Sequence, residues 1–78
     1  MELDEVLTLV KDERARQDRK WGSLRHLSDL KWFAILGEEV GESARAILEE
    51  TPERLEAELI QVAAVAVAWI EALRAGRT

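Results

Sequence analysis

The chain has no cysteine, so neither a disulfide nor a thiolate metal site can brace it. It has one histidine, His26, which removes zinc centres built on imidazole. It also removes di-iron carboxylate bundles, which need a Glu followed three residues later by His on two helices. Three positions before His26 stands Ser23. Positive charge is scarce: 11 Lys and Arg face 16 Asp and Glu, a net charge of −5. That argues against non-specific nucleic-acid binding and against anionic membranes, while leaving room for a small phosphorylated ligand. The longest apolar run, Val62 to Ile70, has nine residues, too few for a membrane span. The first ten residues carry acids without a basic stretch, unlike a secretory leader. One proline and four glycines punctuate 78 residues without any loop-like cluster.

What is present is a folded composition, 47% hydrophobic and 35% charged, in a chain that buries only roughly 60–65% of its unfolded surface. A domain this small, lacking staples, commonly gains stability by self-association. The expectation is a cytoplasmic, self-associating single domain spanning residues 1–78.

Hydrophobic spacing points to an all-α chain of three main helices. From Leu3 to Lys20, the residues Leu3, Val6, Leu7 and Val10 recur at three- and four-residue steps, and Arg14, Gln17 and Trp21 continue the same face. Gly22 to Leu27 is a connection, and Ser28 or Asp29 can cap the next helix, predicted over Asp29 to Glu50. Phe33, Leu36, Val40, Ala44 and Ile47 form its main apolar stripe. Gly37 and Gly41 each cost about 1 kcal/mol there relative to Ala, a penalty that close approach of another backbone would offset. Thr51 as cap with Pro52 at the first helical position restarts the chain. The third helix, Pro52 to about Ala75, has only Gln61 and Glu71 as polar residues between Leu59 and Leu73. A helix apolar nearly all round must be covered nearly all round, and two other helices can hardly do so, which implies a second subunit.

The chemistry-bearing pattern is Glu38-Glu39-Val40-Gly41-Glu42 on the second helix and Glu58-Leu59-Ile60-Gln61 on the third. Glu39 and Glu42 lie about 60° apart on the helix surface, away from the apolar stripe and flanked by Ile35 and Ala46. Glu58 and Gln61 repeat the spacing. Antiparallel packing across Thr51-Pro52 would bring both pairs together as three carboxylates and an amide oxygen. Such a cluster repels itself unless a cation neutralises it, and all-oxygen ligands suit Mg²⁺ or Mn²⁺. The alternative is structural: acids on helices usually face solvent, and Glu58 can pair with Arg54 one turn earlier.

These residues resemble a family. Glu38-Glu39-x-x-Glu42 followed, after fifteen residues, by Glu58-x-x-Gln61 is similar to the EExxE and ExxD signature of the MazG-like all-α nucleoside triphosphate pyrophosphohydrolases. The run Glu13-Arg14-x-Arg16-Gln17-Asp18-x-Lys20-Trp21-Gly22 and the tail Glu58 to Trp69 resemble its short phage and bacterial branch. The resemblance covers Glu13 to about Leu73. It implies a helical bundle formed by homo-oligomerisation, as a dimer or tetramer, and cleavage of a nucleoside triphosphate into monophosphate and pyrophosphate. It further implies that Glu39, Glu42 and Glu58, with Gln61 beside them, hold Mg²⁺ while Glu38 positions or activates water. Gln61 departs from the pattern, since an amide brings neither charge nor a base; a catalytically weak or inactive self-association module is therefore the alternative. Phosphates would be met by Lys20, Lys31 and Arg54, with Arg14 the best placed on the first helix. Trp21 either stacks on a base or packs, while Trp32 and Trp69 suit a core or interface. His26 is expected to be exposed and uninvolved.

Overall fold

A computed structural model describes all residues, Met1–Thr78. It contains three helices and no strand: α1 (Glu2–Trp21), α2 (Asp29–Leu48) and α3 (Pro52–Arg74). No helix is long and apolar enough to cross a membrane.

The helix ends follow local chemistry. α1 stops where Gly22 adopts φ +87° and its N–H returns to the Asp18 carbonyl, a backbone geometry that glycine tolerates without a Cβ penalty. Ser28 caps α2, its hydroxyl accepting from the Lys31 N–H at 3.1 Å. α2 ends two residues before the expected Glu50, because Glu50 itself turns to φ +54°. Thr51 occupies the cap position of α3 but makes no side-chain cap. Its hydroxyl instead donates back to the Ala46 carbonyl at 3.3 Å, closing the end of α2.

α3 lies between the other two helices and packs on both, while the backbones of α1 and α2 do not approach one another. Residues pair in opposite order along α2 and α3, Asp29 with Trp69 and Glu42 with Arg54, so those helices are antiparallel. The extents are 38 × 29 × 19 Å, close to a single layer of helices. The radius of gyration is 13.0 Å, against about 11.5 Å for a compact chain of this length.

That flatness has a consequence for burial. The core consists of Trp32, Val65, Ala68 and Ala72, with Leu27, Ile35, Leu36 and Trp69 packed around it. Alanines let α2 and α3 approach closely, and Trp69 Nε1 donates to Asp29 Oδ1 at 3.0 Å.

The inward faces of α1 and α2 differ from expectation, while α3 stays partly uncovered within the chain, as its all-round apolar surface implied. α2 turns Trp32, Ser43 and Ala46 inward, and its main stripe leaves Phe33, Val40, Ala44 and Ile47 exposed, with only Leu36 half-buried. On α3, Leu59, Val67, Ile70 and Leu73 remain exposed, so within one chain the helix is covered only where α1 and α2 lie against it. On α1 the apolar residues Leu3, Val6 and Leu7 are exposed while Gln17 is buried. Gly37 and Gly41 have nothing within 4 Å of a built Cβ, so no backbone of the same chain exploits them. The physical reason is common to all these differences: three helices in one layer can each bury only the side facing a neighbour.

Candidate active site

α2 and α3 bring two of the four metal-binding candidates into contact. Glu39 and Glu58 face one another across the helix pair, close enough for each carboxyl to act on the other. Burial lifts the Glu39 carboxyl above the usual carboxylate range, and the charge of Glu58, contact with its carboxyl, and the charges of Glu38 and Glu42 lift it further. Glu58 Oε2 is fully shielded and has no hydrogen-bond partner. Two ionised carboxylates cannot donate to each other, so the pair needs a shared proton or a cation.

Glu42 points elsewhere. Its carboxylate accepts from Arg54 at 3.2 Å, and Arg45 stands 3.9 Å away. Arg54 in turn grips Glu49 at 2.6 Å. It thus stitches the α2–α3 turn rather than pairing with Glu58, because the acids at the end of α2 flank it. Gln61 is half-buried and lines a groove between α1 and α3 with Glu13, Arg16 and Ala57. As arranged, no group of three acidic or histidine side chains forms a ready metal cage. The Glu39–Glu58 pair, with its orphaned oxygen, does suit a hard divalent cation.

Beside the pair lies a cleft of about 420 Å³ lined by Trp21, Arg25, Leu27, Lys31, Ile35, Glu38 and Glu39. Four of the expected site residues, Trp21, Lys31, Glu38 and Glu39, therefore share one cavity. Trp21 is about half exposed, and Lys20 Nζ sits 4.6 Å from its ring centroid. Arg14 is not free for a ligand, since it is hydrogen-bonded to Asp18 and Glu71 at 2.9 and 3.0 Å. Burial opposes its charge, yet those two carboxylates outweigh the burial and raise its pKa. His26 is exposed.

Two features escape sequence reasoning. Arg25 stands 4.8 Å from the Trp32 ring and 5.7 Å from the Trp21 ring, and no carboxylate pairs with it. Burial, then repulsion from Arg14, pushes its pKa down. The available signal was a cation placed in the connection between two tryptophans, a frequent cation–π arrangement. The second is the Glu13–Arg16–Gln17 group on α1. Arg16 reaches Glu13 Oε2 at 2.7 Å and Gln17 Nε2 reaches it at 3.3 Å. Hydrogen bonding by Arg16 holds Glu13 below the usual carboxylate range against the opposing effect of burial. Gln17 is 2% exposed, and its Oε1 has no donor. Like Glu58, it is a buried acceptor without a donor.

The chain matches no protein-family model, no curated protein and no solved structure with which it was compared.

Proposed function

We propose that the protein is a Mg²⁺-dependent nucleoside triphosphate pyrophosphohydrolase that converts a (d)NTP to its monophosphate and pyrophosphate, Mn²⁺ serving as a substitute. One observation carries this reading: the meeting of Glu39 with Glu58, whose Oε2 is buried without a partner. A pair of like charges beside a cleft, one of them shielded from water, is costly unless it binds something positive. The sequence pattern that resembles the MazG-like family supplies the reaction class.

Glu39, Glu42, Glu58 and Gln61 would hold the cation, which when bound neutralises phosphate oxygens and makes water more acidic. The other roles belong to the chain's own side chains. Lys31 and Arg25, both on the cleft wall, balance phosphate charge. Trp21 presents an exposed ring for a base. Glu38, exposed at the cleft rim, accepts the proton of the attacking water. Arg54 holds Glu42 and releases it when a phosphate competes for the guanidinium. A homodimer or homotetramer would cover the apolar faces left open by the single layer.

Pyrophosphate release from a panel of nucleotides with Mg²⁺ or Mn²⁺ tests the proposal. Glu39→Gln should lower the rate by about a hundredfold or more; unchanged activity in that variant would overturn the chemistry. The second reading is a self-association module without turnover, favoured by Gln61 and by the extent of exposed apolar surface. Inert wild-type protein that gains activity on Gln61→Asp would establish it.

A further inference from the structure

Leu30, Phe33, Gly37, Val40, Ala44 and Ile47 are all exposed on α2. Their steps are three, four, three, four and three residues, the three-four alternation of a heptad that keeps a seam facing a second helix over its whole length. The seam lies about 120° round the helix from the Trp32–Ala46 side that packs on α3, with Phe33 also reaching Trp69 at 6.4 Å between ring centroids, and nothing in the chain covers Gly37 or Gly41. Of the flanking positions, Ala34, Leu36 and Gly41 are uncharged and only Asp29, at the start of the helix, carries a charge, so side-chain size sets most of the match.

The spacing reads the same in both directions. Reversing a second copy places Leu30 against Ile47, Phe33 against Ala44 and Gly37 against Val40. Each of the inner layers then holds one large and one small side chain, as an interdigitated core requires. A parallel copy would instead set Phe33 on Phe33 and Gly37 on Gly37, combining overpacking with a void. Self-complementarity under reversal is the condition for a two-fold interface. Leu30, Phe33, Val40, Ile47 and Leu48, between 52% and 83% exposed, present about 600–700 Å² of apolar surface, near the roughly 800 Å² per partner of a standard interface.

We infer that α2 pairs with α2 of a second copy in antiparallel register, with the two-fold axis passing between positions 38 and 39. This rests on the self-association proposed above and is independent of the nucleotide chemistry. The chain contains no cysteine, so L30C and I47C each introduce a single thiol. Mixed after joint refolding and oxidised mildly, the two variants should form a 30–47 cross-link between chains. Each variant alone should stay uncross-linked, because the two copies of position 30 lie about 25 Å apart along the seam. Val40→Glu should weaken the dimer by at least about a hundredfold, while helicity at low concentration persists. Cross-linking of each variant with itself would overturn the register. A dimer by light scattering that survives Val40→Glu and yields no cross-link would overturn the seam, and a wild-type monomer at micromolar concentration would overturn both.

Discussion

α3 makes two contacts of different character. Against α2 it buries Trp32, Val65, Ala68 and Ala72, an apolar contact between small and large side chains. Against α1 the buried residue is an amide, Gln17, and the link at the far side is Arg14 held by Asp18 and by Glu71 at 2.9 Å. The first contact draws on apolar burial, which salt barely affects. The second draws on charge, which salt screens. The difference teaches that α1 is attached by its polar half while its apolar half, Leu3, Val6, Leu7 and Leu9, stays exposed.

The largest effect should come from breaking the α2–α3 contact. Trp32→Ala, at a residue 2% exposed, should destabilise the chain by about 3–5 kcal/mol, measured by denaturant unfolding. A loss below about 1 kcal/mol would mean that the tryptophan is not the anchor.

Next comes the acidic pair. Because Glu39 titrates above its ordinary value, the folded chain binds the extra proton, and stability from this site falls as pH rises through the raised value. Below the ordinary carboxylate value the penalty is absent. Thermal melts without metal should therefore show this decline, and Glu39→Gln should flatten it. Mg²⁺ at a hundred times its dissociation constant should add about 2.7 kcal/mol at neutral pH; no shift in the melt would count against a cation at the pair.

Glu13 behaves oppositely. Its carboxyl lies below the ordinary value, held first by Arg16, so its contribution is present above that ordinary value and is lost as pH falls through the lowered one. Glu13→Gln should therefore soften the acid limb of the same melts without touching the decline that Glu39 causes at higher pH. The two regions are separable by the sign of their pH slopes.

The smallest effect concerns the ion pair on the α1 side. A double-mutant cycle of Arg14→Ala with Glu71→Ala should give a coupling of about 1 kcal/mol or less, shrinking in high salt. Hydrogen exchange should find the amides of α1 less protected than those of α3, and equal protection would erase the distinction between the contacts.

Much of the architecture was legible beforehand. The three helices start and stop within two residues of the positions read from periodicity and punctuation, with Ser28, Gly22 and Thr51-Pro52 marking the breaks. Of the site, the i, i+3 spacing of Glu39 with Glu42 and the short turn were enough to bring α2's acids against α3. The partners were not legible. Glu42 and Glu58 have the same chemistry, and only position beside Arg54 sends one to a guanidinium and leaves the other against Glu39. Arg25 belongs to no motif, and its place between Trp21 and Trp32 depends on how the connection folds back.

By itself the order of residues determined helix identity and limits, since propensity, capping and backbone freedom act within a few residues. It also determined which side chains share a helix face, because the 3.6-residue period is a property of the backbone. Which face turns inward was decided only by tertiary structure. α2 carries one face of bulky aliphatics and another of Trp32, Ser43 and Ala46, and both can be buried. The small residues permit the closer helix approach to α3, so the bulky face is left for whatever lies outside the chain.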